Sequence, residues 1–120
     1  NRSLLDTGAI VAGGSDWPVS PSPNAWEGLH GLVTREDPSG QYPGTLWPEE
    51  VDTLDEAIAA FTINGAIAMG LGDETGSLEV GKSADFVVLD RDPFVHPENE
   101  LVRTTVEETW FAGRRVYSRG

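Results

Sequence analysis

The sequence contains no cysteine and only 8 basic residues, and each shortage excludes a class of chemistry. Without cysteine there is neither a disulfide framework nor a thiolate ligand for a metal. The 20 acidic residues leave a formal net charge of -12, which repels nucleic acid phosphates and anionic membrane surfaces. The acids are scattered along the chain, which is typical of a solvated surface. We therefore expect no nucleic acid and no membrane partner.

Long apolar runs are also missing. The apolar segments at residues 9–12 and 86–89 are far shorter than the ~20 residues that span a bilayer. No charged-then-apolar leader follows Asn1, so a cytoplasmic location is the expectation. The 120 residues allow one domain with a modest core.

The first 72 residues combine helical patterns with one short strand. Residues 2–7, closed by Gly8, predict the end of a helix, and the apolar residues 9–12 predict a strand of the kind buried in a parallel sheet. Three prolines within residues 17–24 exclude helix there. Asn24 and Glu27 resemble a capping box for a helix to about residue 35. We expect this segment to be mainly helical.

A second helix is the most strongly patterned element of the chain. Thr53 and Glu56 form a capping box, and apolar residues continue at helical spacing to about Met69, where Gly70 ends the helix. After Gly72 the period changes to two. The predicted strands are residues 77–80, 85–89, 106–111 and 115–117, with a turn at residues 112–114.

Asp16 is the best candidate for a catalytic or metal-binding side chain. It follows Gly13, Gly14 and Ser15 at the end of the predicted strand 9–12. Enzymes of the α/β class place catalytic groups at such positions, where a carboxylate can bind a divalent metal or accept a proton. The alternative is that Asp16 only caps a turn with Ser15. Spacing alone favours the turn.

Other candidate groups carry less weight. Ser15 has no neighbouring base and no nucleophile-elbow motif. His30 and His96 are not spaced as a pair, and zinc sites need three or four converging donors. Both histidines are expected to be surface or packing residues.

Three sequence motifs occur in an informative order. They are GGSDWP at residues 13–18, TLDEAI with FTIN at residues 53–64, and GSLEVGKSADFVVLD at residues 76–90. Together they closely resemble the C-terminal part of metal-dependent amidohydrolases, in particular the branch that includes N-substituted formamide deformylases. The third motif is specific, whereas the Gly-Ser-Asp motif alone is weak.

The resemblance implies a fold and a site. The fold implied is α+β: the last strand and helices of a (β/α)8 barrel in residues 1–72, followed by antiparallel strands of a small β-sandwich in residues 73–120. It also implies that Asp16 binds a divalent metal, with zinc expected, and moves a proton between a metal-bound water and the leaving amine of a small amide-type substrate. Trp17 and Pro18 match the residues that follow this Asp, and we expect them to form the pocket rim. The third motif is implied to be structural, with Asp85 opening a buried strand.

The other metal ligands of the family have no counterpart in these 120 residues. A His-x-His pair, a bridging Lys or Glu and two single histidines are missing. The first hypothesis is therefore a C-terminal portion of a hydrolase that acts on non-peptide carbon–nitrogen bonds and is inactive alone. The second is a free-standing non-catalytic module that forms a homo-oligomer through exposed apolar residues. The residues expected on that surface are Ile10, Val11, Leu29, Leu32 and Phe61.

Overall fold

A computed structural model describes residues 1–120 as an α+β structure with a three-stranded antiparallel sheet. The helices are α1 (Arg2–Leu5), α2 (Ala25–Thr34), α3 (Leu54–Phe61) and α4 (Ile63–Ala68). The strands are β1 (Phe86–Leu89), β2 (Val106–Phe111) and β3 (Arg114–Ser118). Two 3-10 helices, Pro48–Glu50 and Glu98–Arg103, lie in the connecting segments. None of the helices has the length and apolar character needed to cross a membrane.

Helix α2 begins at Asn24, as the sequence predicts, but through a simple cap. The Asn24 side chain accepts a hydrogen bond from the backbone N–H of Trp26. The reciprocal bond of a capping box is missing because the Glu27 carboxylate accepts a hydrogen bond from the Ser22 hydroxyl instead. The helix ends at Arg35, whose φ of 57° is left-handed. Its bounds therefore agree with the prediction, while its predicted capping box is wrong.

The predicted helix from Thr53 to Met69 is divided in two. Thr53 and Glu56 form the predicted capping box at the start of α3. At Thr62 the backbone leaves the helical region (φ -129°, ψ -99°), and its hydroxyl donates to the carbonyl oxygen of Ile58. Such hydroxyl bonding competes with the helical ladder. The break separates α3 from α4, and apolar spacing does not predict it.

The sheet has the order β1-β2-β3. Phe86 pairs with Trp110, and their rings stack with centroids 5.5 Å apart. The hairpin between β2 and β3 turns at Ala112 and Gly113, both with positive φ, as two-residue hairpin turns require. The strands predicted at residues 85–89, 106–111 and 115–117 are thus formed within one or two residues.

Two predicted strands are not formed. Residues 77–80 make a local turn instead, in which the Lys82 ammonium donates to the Ser77 hydroxyl at 2.7 Å. Residues 9–12 have an irregular backbone. A strand exists only as part of a ladder, and no other segment of the chain pairs with either one. The predicted parallel-type strand before Asp16 is therefore wrong for this structure.

The core lies between α2, α3 and the 3-10 helix Glu98–Arg103. Four side chains form its buried centre: Leu29, Val33, Ala57 and Leu101. Leu29 is only 4% exposed, so it does not belong to the exposed apolar surface that the sequence predicts. Val11, Leu32 and Phe61 are half-buried, and Ile10 is 60% exposed. Packing within the helical segment covers most of that predicted surface.

Candidate active-site loop

Asp16 lies on a tight, exposed turn. Its φ is 51°, a left-handed conformation that Asp adopts more readily than most residues. Its carbonyl oxygen accepts a hydrogen bond from the N–H of Val19 at 2.8 Å, and the Trp17–Pro18 bond within this turn is cis. The left-handed conformation of Asp16 reverses the chain locally, so that Asp16 is part of a turn and not of an extended segment.

The Asp16 carboxylate takes part in no hydrogen bond or ion pair within the chain. The side chain that closes the local turn is Ser15, whose hydroxyl accepts from the N–H of Trp17 at 3.2 Å. The Asp16 carboxylate therefore does not cap the turn, which is closed by the backbone carbonyl of Asp16 and by the Ser15 hydroxyl. It is an exposed anionic group with its acceptor positions available to a ligand or a proton.

The segment before Asp16 is attached to the helices rather than to a sheet. The N–H of Gly13 donates to the carbonyl oxygen of Ala60 in α3 at 2.9 Å. The Asn64 amide in α4 donates to the carbonyl oxygen of Val11, also at 2.9 Å. Sequence reasoning did not single out Asn64, because an amide side chain inside a predicted helix gives no sign of a bond to Val11.

Beside this segment is a cavity of about 410 Å³. Its walls include the backbone of Gly13 and Gly14, the ring of Phe61 and the Glu27 carboxylate. The predicted rim residues Trp17 and Pro18 are exposed and do not line it. The cavity is therefore next to the Asp16 turn, with polar and aromatic walls.

A larger and more apolar cleft of about 830 Å³ separates α2 and α3 from β1. Trp26, Ile58 and Phe61 line the helical side, and Val87 and Leu89 line the sheet side. The titratable residues that line it are Arg91 and Asp92, and Asp16 is not part of its wall. This cleft offers apolar surface rather than catalytic chemistry.

The chain does not assemble a metal site by itself. No group of three His, Cys, Asp or Glu side chains is close enough to hold an ion. His30 is 4% exposed within α2, and His96 is exposed near the 3-10 helix Glu98–Arg103. Zinc sites need three or four converging donors, and no such set surrounds Asp16 or either histidine. These residues therefore do not fit a complete metal centre.

The helical segment also contains an ion pair between Arg2 and Glu56. The Arg2 guanidinium donates to the Glu56 carboxylate at 2.7 Å, and this bond lowers the pKa of Glu56 to about 2. The N–H of Thr53 contributes to the same shift. Glu56 therefore serves both the capping box and the attachment of α1 to α3, which is a structural role.

The structure thus defines a small α+β unit that presents one unpaired carboxylate on a turn attached to two helices. The sequence model of the amidohydrolase family matches residues 2–117. N-substituted formamide deformylase from Arthrobacter pascens is 41% identical to the chain over 121 residues. Imidazolonepropionase from Bdellovibrio bacteriovorus is 40% identical over 91 residues, which cover 76% of this chain. The chain belongs to the amidohydrolase family, which confirms the resemblance found in its motifs.

A solved structure supports the same assignment. The amidohydrolase from Thermotoga maritima superimposes on 97% of this chain with a TM-score of 0.70 and 27% sequence identity. The match covers 25% of that structure, and 98% of this chain matches 21% of the formamide deformylase. The chain therefore spans about a fifth to a quarter of the proteins it resembles. Amidohydrolases generally use a divalent metal, and the residues needed to complete such a site are not among these 120.

Proposed function

We propose that these residues form the C-terminal portion of a hydrolase that cleaves non-peptide carbon–nitrogen bonds, with Asp16 as its proton-moving carboxylate. The observation that carries the proposal is the Asp16 turn. Its carboxylate is exposed and unpaired, while the preceding segment is bonded to α3 and α4. An enzyme needs both properties in a general base, namely a free acceptor and a fixed position.

The chemistry follows from the carboxylate. Asp16 would accept a proton from a water molecule while the oxygen of that water forms a bond to the carbonyl carbon of the substrate. The protonated Asp16 would then donate that proton to the nitrogen as the carbon–nitrogen bond breaks, which releases an amine and regenerates the carboxylate. General acid–base catalysis of this kind contributes about 10²–10⁴-fold in rate.

The substrate class we propose is a small N-substituted amide, because the formamide deformylase is 41% identical over nearly the whole chain. Trp17 and Pro18 would form the rim of the site, since both are exposed beside Asp16. Asp16 would also be one donor to a divalent metal, for which zinc is our proposal, with the other donors outside these residues. Residues 1–72 would belong to a (β/α)8 barrel and residues 73–120 to a β-sandwich.

The unformed strand at residues 9–12 supports this placement. Its backbone groups have no ladder partner within the chain, although the segment is apolar and leads directly to Asp16. A strand needs at least one ladder neighbour, and a strand of a closed barrel has one on each side. We propose that strands outside these 120 residues supply them, and that the isolated chain does not turn over substrate.

The test uses two proteins: the purified 120-residue chain, and the complete open reading frame that encodes it. Each is assayed on N-substituted formamides and N-acyl amino acids, as wild type, Asp16→Asn and the control Asp73→Asn, whose carboxylate makes no hydrogen bond in the chain. We expect no turnover by the short chain. In the complete protein, Asp16→Asn should lower kcat by about 10²–10⁴-fold, and the control should not. Unchanged kcat in Asp16→Asn would refute the role of Asp16, and turnover by the short chain would refute its inactivity.

A second candidate function is a non-catalytic module that forms a homo-oligomer. The observation that favours it is apolar exposure: Ile10 is 60% exposed, and the 830 Å³ cleft is lined mainly by apolar side chains. Apolar surfaces of this kind mark interfaces. Light scattering on the metal-free chain separates the two candidates. A stable dimer that becomes monomeric in the Ile10→Asp variant would favour the module.

A further inference from the structure

Three independent contacts hold the segment that leads to Asp16. The Asn64 amide donates to the carbonyl oxygen of Val11, and the N–H of Gly13 donates to the carbonyl oxygen of Ala60, each at 2.9 Å. The third contact is steric and involves Phe61. All three come from the short stretch at which α3 ends and α4 begins.

The Phe61 ring occupies the space between the Asp16 segment and α2. A methyl carbon added to Gly13 would lie 2.6 Å from Cε2 of this ring, and one added to Gly28 would lie 2.6 Å from its Cζ. Such distances are shorter than van der Waals contact allows, so the two glycines leave room for the ring. The Phe61 ring therefore packs against the backbone at both Gly13 and Gly28.

The break between α3 and α4 lies between the residues that make these contacts. Ala60 and Phe61 precede the irregular Thr62, and Asn64 follows it. Asn64 bonds to the chain at Val11, and Phe61 packs two residues later at Gly13. The segment is therefore held by residues on both sides of the break.

We propose that Asn64 and Phe61 are positioning residues for Asp16, which they fix in place through the backbone of residues 11–13. The inference rests on the function proposed above for Asp16. It adds that the end of α3 and the start of α4, which do not touch the reacting atoms, determine where the carboxylate is held. A carboxylate displaced by about 1 Å loses up to about 10²-fold in rate.

The first experiment measures how firmly the segment is held in the 120-residue chain. Asn64→Asp preserves the shape of the side chain but removes its N–H donor. Asn99→Asp is the matched control, because Asn99 is exposed and its side chain makes no hydrogen bond. Amide hydrogen exchange and ¹⁵N relaxation are measured for residues 13–17, for α2 and for β2 in each variant.

We expect Asn64→Asp to raise exchange at Gly13 by about tenfold, as loss of roughly one hydrogen bond implies, and to increase the mobility of residues 14–17. Exchange in β2 should stay at the wild-type rate, and Asn99→Asp should change neither region. Equal acceleration in all three regions would show that Asn64 only stabilises the fold, and no change at Gly13 would show that it does not hold the segment. Either result overturns the inference.

Phe61→Leu provides a second variant that retains the Asn64 bond. It removes the ring enclosed by Gly13 and Gly28, so we expect greater mobility at residues 13–17 with normal exchange in β2. If both variants leave residues 13–17 as ordered as in the wild type, the inference is wrong.

The second experiment separates this inference from the proposed function. In the complete open reading frame, Asn64→Asp should lower kcat by about tenfold to 10²-fold with little change in KM, because position and not substrate affinity is altered. If Asp16→Asn lowers kcat and Asn64→Asp does not, the positioning role is overturned. If Asp16→Asn itself has no effect, the proposed function fails, while the exchange data still decide whether Asn64 holds the segment.

Discussion

The carboxylate of Asp85 accepts a hydrogen bond from the backbone N–H of Ala112 at 2.7 Å, although the two residues are 27 positions apart. It also accepts from the hydroxyls of Thr75, at 2.7 Å, and Ser83, at 2.9 Å. One side chain therefore joins the loop after α4, the start of β1 and the β2–β3 turn. The carboxylate is the common acceptor of all three bonds.

The first prediction concerns this junction. Asp85→Asn should lower the urea midpoint of the chain, because a neutral amide accepts weaker hydrogen bonds than a carboxylate and has only one acceptor oxygen. Equilibrium urea unfolding followed by tryptophan fluorescence measures the change. Asp73→Asn is the control, since the Asp73 carboxylate accepts no hydrogen bond and its loss should leave the midpoint unchanged. Equal midpoints for Asp85→Asn and wild type would contradict the structural role.

The second prediction concerns the stability of the fold at low pH, which should depend on the protonation of Asp90. The Arg91 guanidinium and then the N–H of Thr105 lower the pKa of Asp90 from 3.8 to about 2. A carboxyl group whose pKa is lower in the folded state stabilises the fold above its unfolded pKa, and this stability is lost as the pH falls through the folded pKa. Between about pH 4 and pH 2, the urea midpoint of the wild type should therefore fall more steeply than that of Asp90→Asn. Parallel curves over that interval would show that Asp90 makes no contribution.

Sequence patterns predicted the elements whose signals are local. The cap at Asn24, the capping box of Thr53 with Glu56, and the turn at Gly113 each depend on neighbouring residues, and each is present in the structure. Alternation also located β1, β2 and β3, because the strands pair with one another inside the chain. Local chemistry and internal pairing were sufficient for these elements.

The errors came from features that depend on distant partners. Residues 9–12 and 77–80 have strand-like sequences but no ladder neighbour in the chain. The break at Thr62 interrupts an apolar pattern that remains helical on both sides. At the candidate site, motif order singled out Asp16, whereas Asn64 could be assigned only when its bond to Val11 was seen. Sequence patterns identify candidate residues, but the contacts that hold those residues in place are visible only in the structure.

The third prediction tests the small core. Leu101 is 2% exposed and packs with Leu29, Val33 and Ala57. Leu101→Ala should reduce the free energy of unfolding by about 2–5 kcal/mol, since it removes a buried side chain and leaves a cavity. Leu78→Ala is the matched control, because Leu78 is 74% exposed and such surface changes cost less than about 0.5 kcal/mol. A similar loss in both variants would mean that Leu101 does not belong to the core.

The fourth prediction uses two glycines with similar positive φ but different surroundings. Gly76 and Gly81 have φ of 90° and 98°, so alanine is strained at both positions by about 1–2 kcal/mol. Only at Gly76 is space also lacking, because an added methyl carbon would lie 2.7 Å from Cβ of Ala66 and 3.0 Å from Cα of Ile63. Gly76→Ala should therefore cost about 1–3 kcal/mol more than Gly81→Ala in urea unfolding, since α4 must shift to admit the methyl group. If the two variants lose equal stability, the loop of residues 76–81 does not pack against α4 as the structure shows, and backbone conformation alone explains the glycine at position 76.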